Sequence, residues 1–251
     1  MRALLPVAGP VTDLHEAYAS DWLEAGGIRV NFVASADGAV ALQGRSGGLQ
    51  TPGDNQVFAV LRDLADVVLV GAGTARDEGY RPVVPNQRRQ TARARFGLAP
   101  LLPIAVVSAR LDLDPTGRLF TGDERSARTI VITHGATPTD KREQLAEVAE
   151  VIVAGAEAVD LVSARDQLTE RGLTRVLNEG GPSLFGRLLA NQLVDELCLT
   201  VSPLLAGAGA GRIVAGEPWP PDFVPNLSLH TVHEEDHALF YRYRVLPNRG
   251  V

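Results

Sequence analysis

Asn178-Glu179-Gly180-Gly181-Pro182-Ser183-Leu184 is the stretch that decides how this chain folds. A strand over Thr174 to Leu177 runs straight into two glycines, and a helix over Pro182 to Asn191 starts on a proline suited to a first helical turn. Glycines at such a corner let backbone N–H groups approach an anion closely, and the helix behind them presents its positive end. A pyrophosphate fits that corner, and so does an ordinary tight strand-to-helix turn. Glu179 tips the balance, because a carboxylate at the C-terminal end of a parallel strand points into the crevice where α/β proteins bind ligands.

Outward from this corner the same alternation repeats. Ile28 to Ala34, Ala65 to Val70, Pro103 to Ser108, Thr129 to Thr133 and Val151 to Ala154 are apolar, β-branched runs of strand length. Helical patterns fall at Pro52 to Ala65, with Thr51 as N-cap, at Thr139 to Ala149, and at Asp160 to Arg171, stopped by Gly172. Glu196 to Val201 is a further strand. Leu227 to His233 and Ala238 to Val245 read as an antiparallel pair. Residues 81–100 are polar and rich in arginine, with little pattern, and read as a surface excursion. Strands buried on both faces and alternating with helices imply an α/β protein with a mostly parallel sheet, helices on both faces and an antiparallel C-terminal edge. Residues 1–26 read as an N-terminal arm with a short helix near Asp13 to Trp22, and 27–251 as one domain.

Composition narrows the function. A net charge of −6 argues against nucleic acid or an anionic membrane as the main partner, yet leaves room for a small anion held by local arginines. No stretch approaches a membrane span or a signal peptide, so a cytoplasmic enzyme is expected. The single cysteine, Cys198, lies in a strand pattern and reads as a buried, inert thiol. His15, His134, His230, His233 and His237 show no metal-ligand spacing, so no metal is expected; His233 and His237 flank an acidic turn and read as solvated surface. No serine-hydrolase elbow and no phosphate-binding P-loop occurs.

Two further turns carry chemistry. Val70-Gly71-Ala72-Gly73-Thr74 repeats the logic of strand, small residues and hydroxyl, but lacks the third glycine of a dinucleotide fingerprint. Asp37, in Ser35-Ala36-Asp37-Gly38, is either a turn-capping carboxylate or an acid at a strand end. Ser46-Gly47-Gly48-Leu49-Gln50-Thr51-Pro52 is a flexible loop entering a helix, either a lid or a plain connection.

Taken in order, these segments resemble the reductase domain of the bacterial riboflavin-biosynthesis deaminase/reductase, a pyrimidine reductase sharing its fold with dihydrofolate reductase. The resemblance rests on Val33 to Gly38, Arg62 to Thr74 with Asp77-Glu78 beyond, Asn178 to Leu184, Leu193 to Leu197, and Ser202 to Gly207. It implies a dihydrofolate-reductase-like sheet, NADPH as cofactor, a homodimer, and hydride transfer to a phosphorylated ribosylaminopyrimidine. By position it implies that Val33, Gly48, Gly73, Thr74, Glu78, Gly180, Gly181, Pro182, Ser183 and Leu184 line the cofactor. Ser108 and Arg110 would meet its 2′-phosphate. Ser46, Arg62 and Glu179 would contact the substrate, with Arg81 helping at its phosphate. Glu179 is then the first candidate to orient the substrate or relay a proton, and Asp37 the second. The zinc signature of the family's deaminase half has no counterpart, so no fused deaminase is expected. A dihydrofolate or dihydropterin reductase on the same fold, or a non-catalytic NADP-binding protein, are the alternatives.

Overall fold

The computed structural model describes residues 1–220 and 222–247, so Pro221 and positions 248–251 of the expected 27–251 domain lie outside it. The chain opens with strands β1 (Arg2–Leu5) and β2 (Gly9–Pro10) and short helices α1 (Leu14–Ala19) and α2 (Trp22–Ala25). β3 (Gly27–Ser35) leads through a 3-10 turn (Ser46–Leu49) into α3 (Pro52–Asp63). β4 (Val67–Gly71), α4 (Ala72–Asp77) and α5 (Gln87–Arg95) follow. Next come β5 (Ile104–Val107), β6 (Ile130–Thr133), α6 (Thr139–Val148), β7 (Glu150–Val153) and α7 (Leu161–Glu170). The order ends with β8 (Arg175–Asn178), α8 (Pro182–Ala190), β9 (Glu196–Ser202), β10 (Leu227–Glu235) and β11 (Ala238–Val245).

Local chemistry sets most of these boundaries. The Thr51 hydroxyl accepts from the Asp54 amide at 3.1 Å, capping α3 as expected. Asp160 likewise caps α7, and Gly172, at φ 76°, follows its end. Asp21 adopts φ 65°, which splits the expected helix over 13–22 into α1 and α2. Asp236 (φ 49°) and His237 (φ 68°) turn the β10–β11 hairpin, the left-handed pair that matches the right-handed twist of strands.

Contacts divide the chain into two compact units, Met1–Leu61 with Asn178–Val251, and Arg62–Leu177. In the second unit the strand order is β8-β4-β5-β6-β7, and β4 to β7 pair in parallel. β5 and β6 are buried throughout, as strands covered on both faces must be. The segment expected as a patternless excursion contains α5, capped by Asn86, whose side chain accepts from the Arg89 amide at 2.9 Å. No apolar stripe announces this helix, because its buried residue is an arginine. The Arg93 guanidinium donates to the carbonyls of Ala99, Ala65 and Leu101 at 2.5, 2.6 and 3.2 Å. It also reaches those of Arg62 and Asp63, so it satisfies acceptors that the end of α3 leaves over.

In the first unit the order is β2-β1-β10-β11-β9-β3. β3 and β9 are parallel and the other pairs antiparallel. The mixed α/β class with antiparallel C-terminal strands agrees with expectation, but the hairpin is not an edge: β1 pairs with β10. The residues expected to form a separate arm thus supply two strands of this unit. His233, expected at the surface, is buried and packs edge-on against Tyr18, with ring centroids 5.8 Å apart. The correction follows from β1, which lies opposite it through Ala3.

A buried charge cluster holds this unit. Glu196 is ion-paired with Arg29 at 2.7 Å and accepts from Arg242 at 2.9 Å. Trp22 lies 4.2 Å from the Arg29 guanidinium, and Arg242 also donates to the Ala17 carbonyl at 2.6 Å. Burial opposes ionisation of Glu196, yet the two arginines hold its pKa down to about 2. Cys198 is buried beside it, and burial followed by the Glu196 charge pushes its thiol pKa up, in agreement with an inert thiol. Glu196→Gln leaves two buried cations without a counter-charge and should cost about 3–5 kcal/mol in urea unfolding at pH 7. A folded pKa below the usual value means that the contribution is full above pH 4.5 and fades as pH falls towards 2. A deficit in the variant that did not shrink on acidification would contradict this.

Candidate active site

In the first unit the chemistry gathers where β3 and β9 end. Val33 lies opposite Thr200, and Ser35 opposite Ser202. The Ser202 hydroxyl donates to the Leu49 carbonyl and ties down the 3-10 turn that Ser46 opens. Gly48 is exposed in that turn, and a Cβ there would meet the Leu42 side chain at 3.1 Å. The turn then feeds through Thr51 into α3.

Asp37 is a loop clamp. Its carboxylate accepts from the Ser35 hydroxyl and from the amides of Ala206 at 3.1 Å and Gly207 at 2.8 Å. These donors, Ser35 first, pull its pKa down to about 2. These contacts are those of a turn-capping carboxylate, and they favour its ionised form.

β8 delivers the opening motif. The Asn178 side chain is fully buried and accepts from the Gly180 amide at 3.3 Å. Glu179 follows, with 8% of its surface exposed. Gly180 (φ 114°) and Gly181 (φ 80°) both occupy backbone that only glycine adopts readily. Gly181 is the N-cap of α8, Pro182 starts the helix, and no side chain caps it. Amides of a first helical turn have no partner within the helix, so this end, with Ser183 and Leu184 in its first turn, is suited to an anionic acceptor such as a phosphate. A cofactor phosphate fits these residues.

The remaining expected residues belong to the second unit. Gly71 ends β4, and Ala72 to Asp77 wind into α4, where a glycine turn was expected. Gly73 has open space around it. The Thr74 carbonyl accepts from the Glu78 amide at 2.9 Å, and Glu78 itself is exposed. The Arg62 guanidinium lies 5.7 Å from the centre of the Tyr80 ring, and Arg81 is exposed. Ser108 is buried after β5, its amide donating to Ile132 at 2.9 Å, and Arg110 is exposed two residues on. His134 reaches the Ala109 carbonyl at 2.8 Å and braces the same loop. Among the described residues no group of three or more His, Cys, Asp or Glu side chains is arranged to hold a metal. No helix among them is long and apolar enough to cross a membrane.

One buried acid escaped sequence reasoning. Asp54, in the first turn of α3, is 4% exposed, and burial raises its pKa despite a hydrogen bond with Thr200. An acid in a first helical turn ordinarily faces solvent and serves the helix dipole, so sequence alone assigns it nothing more. Only the position of Thr200 on β9 shows that it faces inward.

Several known proteins share this design. A 2,5-diamino-6-ribosylamino-4(3H)-pyrimidinone 5′-phosphate reductase of Archaeoglobus fulgidus is 30% identical over 181 residues, 72% of this chain and 81% of that protein. The riboflavin biosynthesis protein RibD of Mycobacterium tuberculosis is 29% identical over 179 residues, 70% of this chain and 42% of its own length. The solved structure of a pyrimidine reductase-like protein from Corynebacterium diphtheriae superposes with a TM-score of 0.81 at 30% identity, covering 94% of this chain and all of that one. Fold and sequence together define a reductase of the riboflavin-biosynthesis type. The chain belongs to the RibD C-terminal domain family, whose model matches residues 27–236. A reductase of this family implies a nicotinamide cofactor.

Two outcomes follow from this geometry. Gly181→Ala puts a Cβ on left-handed backbone and should cost about 1–2 kcal/mol, together with weaker nicotinamide-cofactor binding in a fluorescence titration. Unchanged affinity would separate the turn from the cofactor. Asp37→Asn should lower the melting temperature at pH 7. The deficit should narrow as pH falls from about 4 towards 2, where the wild-type carboxylate also takes up a proton.

Proposed function

We propose that this chain is an NADPH-dependent reductase of a phosphorylated ribosylaminopyrimidine, acting in riboflavin biosynthesis. The observation that carries the reading is the order at the end of β8: a buried carboxyl, Glu179, set directly before two left-handed glycines and an uncapped helix. A phosphate-binding corner and an acid thereby share one rigid turn. The names borne by the Archaeoglobus and Corynebacterium proteins support the same substrate class.

When bound, the cofactor would supply a hydride to C1′ of the ring-opened imine of the ribosylamine, formed as the C1′–O bond breaks and the amine proton passes to that oxygen; with a proton to the nitrogen, CH=N becomes CH2–NH. Glu179 orients the substrate or relays that proton. Ser46 and Arg62 bind the substrate, and the exposed Arg81 assists at its phosphate. Gly180 to Leu184 hold the cofactor phosphate, with Val33 and Gly48 beside the cofactor, and Gly73, Thr74 and Glu78 also lining it. Ser108 and Arg110 select NADPH through its 2′-phosphate. Most of the rate comes from holding the reacting carbons close, since the cofactor brings the reactivity. The protein works in the cytoplasm as a homodimer, for which the exposed apolar Leu227, Leu229 and Leu246 are suited.

The decisive assay follows NADPH oxidation with the diaminopyrimidinone and aminouracil ribosylamine phosphates, beside dihydrofolate. Turnover of dihydrofolate alone would overturn the substrate class. Glu179→Gln should lower turnover by about 100-fold or more with little change in NADPH affinity. If both fell together, Glu179 would serve the fold or the cofactor. NADPH should bind more tightly than NADH, and equal affinities would remove Ser108 and Arg110 from the 2′-phosphate.

A further inference from the structure

The roles assigned above leave Asp54 unused. Its Oδ1 is buried and has no hydrogen-bond partner among the described residues. Buried carboxyl oxygens are normally satisfied, and one that is not points to a missing donor. The rest of the group is well fixed. Thr200 engages the carboxyl from β9, and the α3 backbone that carries it is capped by Thr51. Thr200 in turn lies between Val33 on β3 and Phe240 on β11. The segment leading into this turn of α3 starts at Ser46, already assigned to the substrate, and is anchored through Leu49 to Ser202 on β9. An unsatisfied acceptor has therefore been built at the end of β9, on the stretch that carries a substrate contact.

The missing donor can be specified from the pyrimidine. A 2-aminopyrimidin-4-one presents its ring N3–H and its exocyclic amino N–H side by side, two donors at the spacing of the two oxygens of a carboxylate. A 2-oxo ring presents N3–H beside a carbonyl oxygen, and an ionised carboxyl, which only accepts, meets that oxygen lone pair to lone pair. Burial raises the pKa of Asp54, so a paired donor edge that stabilises the ionised form has leverage here. We propose that Asp54, held by Thr200, accepts from the N3–H and 2-amino edge of the substrate ring and selects 2-amino over 2-oxo pyrimidines. The inference rests on the pyrimidine-reductase reading above and assigns the choice of ring to one residue.

The test compares kcat/KM for the 2,5-diaminopyrimidinone ribosylamine 5′-phosphate and its 5-aminouracil counterpart, with NADPH, in the wild type, Asp54→Asn and Thr200→Val. The wild type should favour the 2-amino substrate by about 10- to 100-fold, the usual penalty of an unmatched buried polar group. In Asp54→Asn, which is isosteric and carries a donor as well as an acceptor, that preference should collapse. The change should appear in KM, with NADPH affinity and the melting temperature close to wild type. Thr200→Val should reduce the preference in part. Equal losses on both substrates in Asp54→Asn, or no preference in the wild type, would overturn the proposal. If the wild type turns over neither pyrimidine, the pyrimidine-reductase reading itself fails. Calorimetric titration with 2-aminopyrimidin-4-one and with uracil then decides Asp54 separately: a wild-type preference lost in Asp54→Asn sustains the role, and equal binding ends it.

Discussion

Arg29, Glu196 and Arg242 meet inside the first unit, where β3, β9 and β11 lie side by side. Two cations and one anion in a dry interior are tolerable only while they touch, because an unpaired buried charge costs several kcal/mol. Strand slippage is thereby penalised twice. A shift by one residue would strand a charge, and it would also turn every side chain of the strand to the opposite face. The register Arg29 to Glu196 at one end fixes Val33 opposite Thr200 and Ser35 opposite Ser202 at the other. The same cluster secures the start of the chain, since Arg242 bonds the Ala17 carbonyl and Arg29 lies over Trp22.

The far end of these strands spends that rigidity on loops. Ser202 holds the Leu49 carbonyl, and Asp37 gathers the Ser35 hydroxyl with the Ala206 and Gly207 amides. The first ties down the turn that holds Ser46 and Gly48, and the second joins the end of β3 to the loop after β9. Gly180, Gly181 and α8 instead present backbone donors that no side chain caps. Asp54 adds an acceptor that no donor among the described residues meets.

The β-branched strands, the Thr51 and Asp160 caps and the glycine turn after β8 were legible because each depends on neighbours in sequence. Helix α5 was not, since its inward residue is Arg93, whose partners are carbonyls supplied by the end of α3 and by residues 99–101. His233 misled for a similar reason: its setting looked polar until β1 covered it. Among site residues, the strand-end placement of Glu179 could be read from the motif, whereas the clamp role of Asp37 needed Ala206 and Gly207, far along the chain.

By itself the sequence determined the α/β alternation, the glycine corner at Gly180-Gly181 and, through Asn178 to Leu184 with Arg62 to Thr74, the family to which the chain belongs. These follow from periodicity, capping and backbone freedom, which act over a few residues. Tertiary structure alone decided which acids are spent and which remain open. Asp37 and Glu196 are committed to partners brought from distant segments, while Asp54 is buried beside Thr200 with one oxygen that meets no donor among the described residues. Burial and hydrogen-bond satisfaction depend on residues far apart in sequence, so they take shape only when the strands have paired.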